Sequence, residues 1–327
     1  MQRASLRLIR GTGLSAVTLL WAIDHYLNRK AARGARPNTL AAYGSDLKQF
    51  AECLDYLHGQ TPLVAVLAPR DVSHWLDELQ ARGVSARSQA RKLTVVRGFF
   101  KHAQREGWTG IDPTKGESVS FRAKRVVAPE LPELLAMIEN IPTNDRIDIR
   151  DRAMLRLALD TGLRIGCVGS IDAPGFGTAT ALDMPRQIVH FINKGGEVET
   201  SAFNDRTKGF LDEWLRIRSF MADAEEPALF VSQRGCRLSR AGMHEAFKRH
   251  ATAAGLGNAH WHLLRHRRVR GVCEALGTKV GQQFAHHRNE STTSDYGDHA
   301  QHVAMALVRQ QADLDTLARK EAGRARA

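Results

Sequence analysis

The sequence predicts a mainly α-helical protein with a small antiparallel β-sheet, organised as two domains. Three observations predict it. Apolar residues recur at alternating spacings of three and four along most of the chain. One stretch in the second half breaks that period and is rich in β-branched residues around a Gly pair. Between them runs a basic, aperiodic segment that divides the chain. A length of 327 residues with 43% hydrophobic content is enough for two cores.

The elements follow in order. Arg3, Arg7 and Arg10 precede Ala16–Ile23, which has the outline of a signal peptide. No small-residue cleavage site follows, and Leu14, Val17, Leu20, Trp21 and Leu27 recur at helical spacing, so this segment reads as a helix. Pro37, Asn38 and Thr39 are start signals for a second helix with an inward stripe of Leu40, Tyr43, Leu47, Phe50, Leu54 and Leu57. A third helix begins near Pro69 and Asp71, buries Val72, Trp75, Leu76 and Leu79, and stops around Gly83. A fourth runs from about Ser85 to Arg105, with Leu93, Val96, Phe99, Phe100 and Ala103 inward and Gly107 ending it. That helix carries Arg87, Arg91, Lys92, Arg97, Lys101 and Arg105, and no acidic residue lies between Leu79 and Glu106. The spacing therefore predicts a ridge of cations facing phosphates.

Residues 108–129 show no period, contain Asp112-Pro113 and Gly116, and end in the basic Arg122, Lys124 and Arg125. They read as an interdomain linker that can lie along a polyanion, leaving a helical first domain over 1–107 and a second over 130–327. In the second domain, helical patterns cover Leu131–Ile141, Arg150–Thr161, Lys208–Met221, Arg240–Ala254, Leu263–Leu276 and His299–Ala318. Gln187–Phe203 reads as a hairpin turning at Asn193, Lys194, Gly195 and Gly196.

The net charge of +12 is concentrated in front, where residues 1–125 hold 20 Lys/Arg against 10 Asp/Glu. An anionic partner is implied, with nucleic acid first. Cys53, Cys167, Cys236 and Cys273 are far apart and form no C-x-x-C pair, so neither a zinc site nor a disulfide framework is suggested, and a reduced cytoplasmic setting fits. No apolar run has the roughly 18 residues needed to span a membrane.

The residues suited to chemistry are spread along the second domain. Thr161-Gly162-Leu163-Arg164 places an Arg just after a Gly at a helix junction, where it can reach a phosphate. Lys194 sits at the hairpin tip. His262 and Arg265 lie three apart on a helix whose expected buried face is Val269, Val272, Cys273 and Leu276. Arg265, Arg267, Arg268 and Arg270 make that helix strongly basic, so phosphate binding is expected there too. His287 and, after Thr292-Thr293, Tyr296 close the set. Tyr is a potential covalent nucleophile, Arg binds phosphate oxygens through a planar fork, and His moves protons near neutral pH.

The ordered set Arg164, Lys194, His262, Arg265, His287 and Tyr296 resembles the active-site signature of the tyrosine recombinase, or phage integrase, family. Matching pieces are the TGLR segment, a Lys in a β-hairpin, the H-x-x-R-H box and the H-x8-Y box. The front helices, including Thr39–Tyr43 and Asp46–Phe50, resemble the family's SAM-like core-binding domain, so the likeness spans nearly the whole chain. Three positions depart from the pattern. Cys167 stands where the family commonly has an acidic residue, His286 where it has Gly, and Arg267 where it has a small hydroxyl residue.

The resemblance implies a two-domain C-shaped clamp on double-stranded DNA bearing specific recombination sites, acting as a tetramer on two sites. Accessory DNA-bending or directionality proteins are further expected partners. Tyr296 would form a 3′-phosphotyrosyl bond, Arg164 and Arg265 would hold the phosphate, His262 would act as base, Lys194 as acid, and His287 would bond a phosphate oxygen. Neither metal nor ATP is expected in that chemistry. Integration, mobile-element transfer and resolution all share this core. A type IB topoisomerase, or an architectural or regulatory DNA-binding protein with weak catalysis, are the alternative readings.

Overall fold

The computed structural model describes residues 17–121, 129–193, 195–285, 308 and 312–325. The chain divides into two compact units, Met1–Arg125 and Val126–Ala327, each with its own apolar core.

The first unit contains the helices α1 (Leu19–Ala32), α2 (Pro37–His58), α3 (Pro69–Ala81) and α4 (Ala86–Arg105). Their limits follow from local chemistry. Pro37 and Pro69 occupy first-turn positions where no amide donor is needed. The Asp71 carboxylate accepts from the Ala68 amide at 2.8 Å, and the Ser85 hydroxyl accepts from the Ser88 amide at 3.3 Å. Gly59 closes α2 at φ +68°, a conformation that other residues adopt at a cost. Leu47, Phe50, Leu54, Trp75, Val96, Phe99 and Phe100 meet in the core. The Phe50 and Trp75 rings pack edge to face with centroids 5.1 Å apart. Each such side chain contributes about 2 kcal/mol by leaving water.

The helix at the N-terminal end exists, but its inward face differs from expectation. Leu19, Ala22, Ile23 and Tyr26 are buried, whereas Leu20 and Trp21 face outward at 45% and 36% exposure. The stripe at 14, 17, 20, 21 and 27 treated the segment as one continuous helix, but the described helix starts only at Leu19. Leu57 is likewise exposed at the frayed end of α2.

The second unit holds α5 (Leu131–Glu139), α6 (Arg146–Thr161), the single turn α7 (Ile165–Val168), strands β1 (Ile188–Ile192) and β2 (Val198–Ala202), α8 (Asp205–Arg218), α9 (Arg240–Ala253), α10 (His262–Leu276), α11 (Thr278–Phe284) and α12 (Leu314–Ala325). α6 is the central helix, since every residue from Ala153 to Thr161 is buried. β1 and β2 pair antiparallel with Ile192 opposite Val198, which leaves Asn193–Glu197 as the connecting loop. Asn193 organises that loop, its carboxamide oxygen accepting from the amides of Gly195 and Glu197.

Two clusters fasten the C-terminal helix to its own unit. Leu314 and Leu317 enter the apolar core. Arg156 of α6 is fully buried and donates to Asp315 at 2.6 Å, while Asn204 donates to Asp313 at 2.8 Å. Of the helix expected over His299–Ala318, residues 299–307 and 309–311 lie outside the described residues, and Ala312 and Asp313 are not helical, so α12 begins only at Leu314. None of the described helices is long and apolar enough to cross a membrane.

Candidate active site

Arg164, His262 and Arg265 are brought to one place by three structural joints. α6 ends at Thr161, and Gly162 reverses the chain at φ +63°. The backbone angle favours glycine, and a Cβ on Gly162 would also crowd the Phe284 ring at 3.1 Å. Leu163 is then buried, and Arg164 emerges half-buried as the residue before α7.

The second joint is Arg265. It lies one turn into α10, only 4% exposed, and its guanidinium donates to the Gly162 carbonyl at 2.7 Å and to the Ala285 carbonyl. One side chain thereby ties the Arg164 turn, the start of α10 and the end of α11. Burial and the neighbouring Arg164 cation lower the Arg265 pKa to about 10, which still leaves it charged at neutral pH. Two guanidinium groups within electrostatic reach of each other are an arrangement suited to holding an anion. The third joint links the hairpin to α7. The Ile192 amide donates to the Ser170 hydroxyl at 2.9 Å, which fixes the strand that leads to residue 194.

His262 opens α10 with its side chain exposed. Its pKa is lowered, first by partial desolvation and then by Arg265, His260, Arg164 and His266. The imidazole is therefore neutral at physiological pH and able to accept a proton. Cys167 is buried beneath the pair of arginines. Desolvation raises its pKa against the pull of Arg164 and Arg265, so it is a neutral thiol where the resemblance leads one to expect a carboxylate. Glu199 on β2 is within electrostatic reach of the same thiol, a neighbour not apparent from the spacing of the motifs.

Lys194, His287 and Tyr296 lie outside the described residues, as does His286. Their described flanks are informative: Asn193 and Gly195 border the hairpin tip, and Arg265 holds the backbone at Ala285, two residues before His287. Arg122, Lys124 and Arg125 of the linker are also outside.

The basic residues singled out for phosphate contact divide sharply. Arg87 and Lys101 are exposed on α4. Arg91 is half exposed, but both its terminal nitrogens are on the Asp46 carboxylate, at 2.8 Å for the Nη2 contact. Arg97 donates to the Glu117 carbonyl at 2.8 Å. Lys92 corrects the expected ridge. It is buried, with Nζ 2.8 Å from Asp46 and 2.7 Å from Gln49 on α2.

Arg267 and Arg268 are corrected in the same way. Arg267 is buried and forms a fork-to-fork pair with Glu130, at 2.7 and 2.9 Å. Arg268 is 2% exposed, donates to the carbonyls of Asp160 and Ala312 at 2.7 and 2.6 Å, and stacks over Phe284. Neither presents its guanidinium to solvent. The signal was present in the spacing. Leu264, Arg265, Arg268 and Val272 form one helical face, and only Val272 of the expected inward set is fully buried.

Among the described residues, no trio of metal-donor side chains lies in this site. The two such groups are elsewhere, at Cys53, His74 and Glu78, and at Asp148, Asp151 and His250.

Comparison with known proteins matches both units. Residues 124–303 match the model of the phage integrase family, and residues 23–107 match the phage integrase N-terminal SAM-like domain. Tyrosine recombinase XerC of Roseiflexus castenholzii is 31% identical over 278 residues, covering 81% of this chain and 84% of that protein. The XerC of Ralstonia pickettii is 29% identical over 281 residues, covering 82% and 85%. Among solved structures, a lambda integrase dimer bound to a core site superposes with TM-score 0.66 at 18% identity, covering 85% of this chain and 98% of that one. A lambda integrase tetramer bound to a Holliday junction gives TM-score 0.64 at 19% identity, covering 85% and 80%. At these identities the structural likeness establishes the two-domain fold.

Proposed function

The chain belongs to the phage integrase family of tyrosine recombinases, and from that premise we propose that it breaks and rejoins DNA at specific sites through Tyr296. The phenol, with a free pKa near 10, needs a base to become a nucleophile. His262, kept neutral by partial desolvation and then by its cationic neighbours, takes that proton. The phenolate oxygen bonds to the scissile phosphorus and the bond to the 5′-oxygen breaks, leaving a 3′-phosphotyrosine. Lys194 supplies the proton that the departing 5′-oxygen takes up. Arg164 and Arg265 bear the added charge of the pentacoordinate transition state, and His287 donates to a phosphate oxygen. A 5′-hydroxyl from a second strand then attacks the phosphotyrosine and releases Tyr296.

The observation that carries this reading is the Arg265 guanidinium on the Gly162 and Ala285 carbonyls. It supports one anion pocket flanked by the Arg164 turn and by the chain leading to His287. The partner is double-stranded DNA, with four copies acting on two sites. The solved relatives, a dimer on a core site and a tetramer on a Holliday junction, support that assembly. Integration or transfer of a mobile element, and resolution of joined molecules, are the roles consistent with it.

The test is a suicide duplex, nicked near the crossover and carrying inverted repeats taken from DNA beside the coding sequence. Wild type gives a denaturation-resistant protein–DNA adduct. Tyr296→Phe gives none yet still binds the duplex. Tight wild-type binding without any adduct would overturn the proposal in favour of a DNA-binding protein that retains only the fold.

A further inference from the structure

The cysteines suggested no metal site because no two are close in sequence, yet folding brings Cys53 to a different pair of donors. α2 presents Cys53, and α3 presents His74 and Glu78 at i, i+4, a spacing that places both side chains on one helix face. The Cys53 sulfur is 3.9 Å from His74 Nδ1, and the ligand atoms of all three residues lie within 4.8 Å of one another. We propose that Cys53, His74 and Glu78 bind a divalent zinc-like ion that clips α2 to α3 in the first unit.

The donor set selects the ion. One thiolate, one imidazole and one carboxylate suit zinc, whose four-coordinate sites mix sulfur, nitrogen and oxygen. Sulfur and nitrogen ligands on a tetrahedral zinc sit roughly 3.5 Å apart, so the observed 3.9 Å closes with a small side-chain adjustment. Thiolate and carboxylate together neutralise the dication, and water completes the fourth position. Glu78 also accepts from the exposed Arg82 at 3.2 Å through one oxygen, which leaves its second oxygen available as a ligand. His74 is exposed, which provides the entry path to the buried sulfur.

The other donor trio fails the same reading. Asp151 already takes two guanidinium groups, from Arg150 at 2.6 Å and from Arg249 at 2.7 Å, and Arg249 also reaches Asp148 at 3.0 Å. A cation there would meet two resident cations, so that trio is an ion-pair network.

Binding must release the Cys53 thiol proton. That proton passes to solvent, so the ligand is the thiolate.

The experiment uses the full chain, stripped with chelator and titrated with cobalt(II). We expect one equivalent to produce a thiolate-to-cobalt charge-transfer band and to be displaced by zinc. Cys53→Ser should abolish the band. His74→Ala, at an exposed position that leaves the fold intact, should weaken binding about tenfold or more. Cys236→Ser, which removes an exposed thiol elsewhere, should change nothing. Absence of the band at stoichiometric cobalt overturns the proposal, as does a band that survives Cys53→Ser or His74→Ala undiminished. DNA cleavage plays no part in the readout, so the result is independent of the recombinase reading.

Discussion

α4 and α10 both carry strongly basic runs, and the fold uses them in opposite ways. On α4, Arg87 and Lys101 face solvent, and among the other basic residues considered for phosphate contact only Lys92 is sunk into the interior. On α10, Arg265, Arg267 and Arg268 are all buried and serve as cross-links to Gly162, Glu130 and Asp160. A long guanidinium can satisfy several carbonyls at once, which lets a charged helix occupy the centre of a unit. The difference teaches that a count of arginines on a helix does not give its surface potential. What decides is whether acceptors from distant parts of the chain converge on them.

The largest expected effect separates the two helices by stability. Replacing Arg268 with Ala strips the Asp160 and Ala312 carbonyls of a donor and leaves the Asp160 carboxylate buried with one cation fewer. Breaking a buried pair on one side costs about 3–5 kcal/mol. The same truncation at exposed Arg87 should stay within about 0.5 kcal/mol. Urea denaturation of both variants checks this. If Arg268→Ala costs no more than Arg87→Ala, the buried helix is not cross-linked as described and the contrast collapses.

The same contrast shows how far the sequence could be read. Local signals located the helices well, because Pro37, Pro69 and Ser85 act on their own neighbours and Gly59 on its own backbone angle. The hairpin was visible as a change of period, and its turn lies at Asn193–Glu197 as the Gly pair indicated. The order of Arg164, His262 and Arg265 was visible too, and the fold gathers them. Partners remote in sequence were not legible. The acid-free window from Leu79 to Glu106 predicted unpaired cations, but Asp46 arrives from α2 to hold Arg91 and Lys92. Asp160 does the same for Arg268, and His74 for Cys53. Burial raises the Cys53 and Asp160 pKa values and lowers that of Arg268, and burial follows from tertiary packing.

A middle-sized effect concerns the far side of α10. Arg267 holds Glu130, the residue before α5, and the Glu130 carboxyl lies close to that of Glu321 on α12. Desolvation, then the Glu130 contact, raises the Glu321 pKa to about 7. A raised acid pKa stabilises the folded arrangement fully below the unfolded value of 4.5 and loses that contribution as pH climbs through about 7. Docking of α12 should therefore loosen between about pH 5 and about pH 8. Thermal midpoints across that range should fall in wild type and flatten in Glu321→Gln. An unchanged slope in the variant would remove the carboxyl pair from the account and leave Arg156 and the apolar contacts as the fastening.

The smallest effect, within α4 itself, is the most direct probe of surface charge. Lys101 is exposed while Arg91 is committed to Asp46 in a two-pronged contact. A cation that neutralises a DNA phosphate contributes about one unit to the slope of log affinity against log salt. Lys101→Ala should therefore lower the slope by about one, with little change in stability. Arg91→Ala should leave the slope nearly unchanged, because releasing Asp46 costs folding energy without removing a phosphate contact. Binding titrations of both variants from low to moderate salt separate these outcomes. Equal slopes for Lys101→Ala and wild type would move the DNA contact off α4. A lowered slope in Arg91→Ala would show that DNA competes with Asp46 for the guanidinium. In that case the ion pairs seen here hold α4 only until phosphate arrives, and its contrast with α10 would lie in how readily the pairs open.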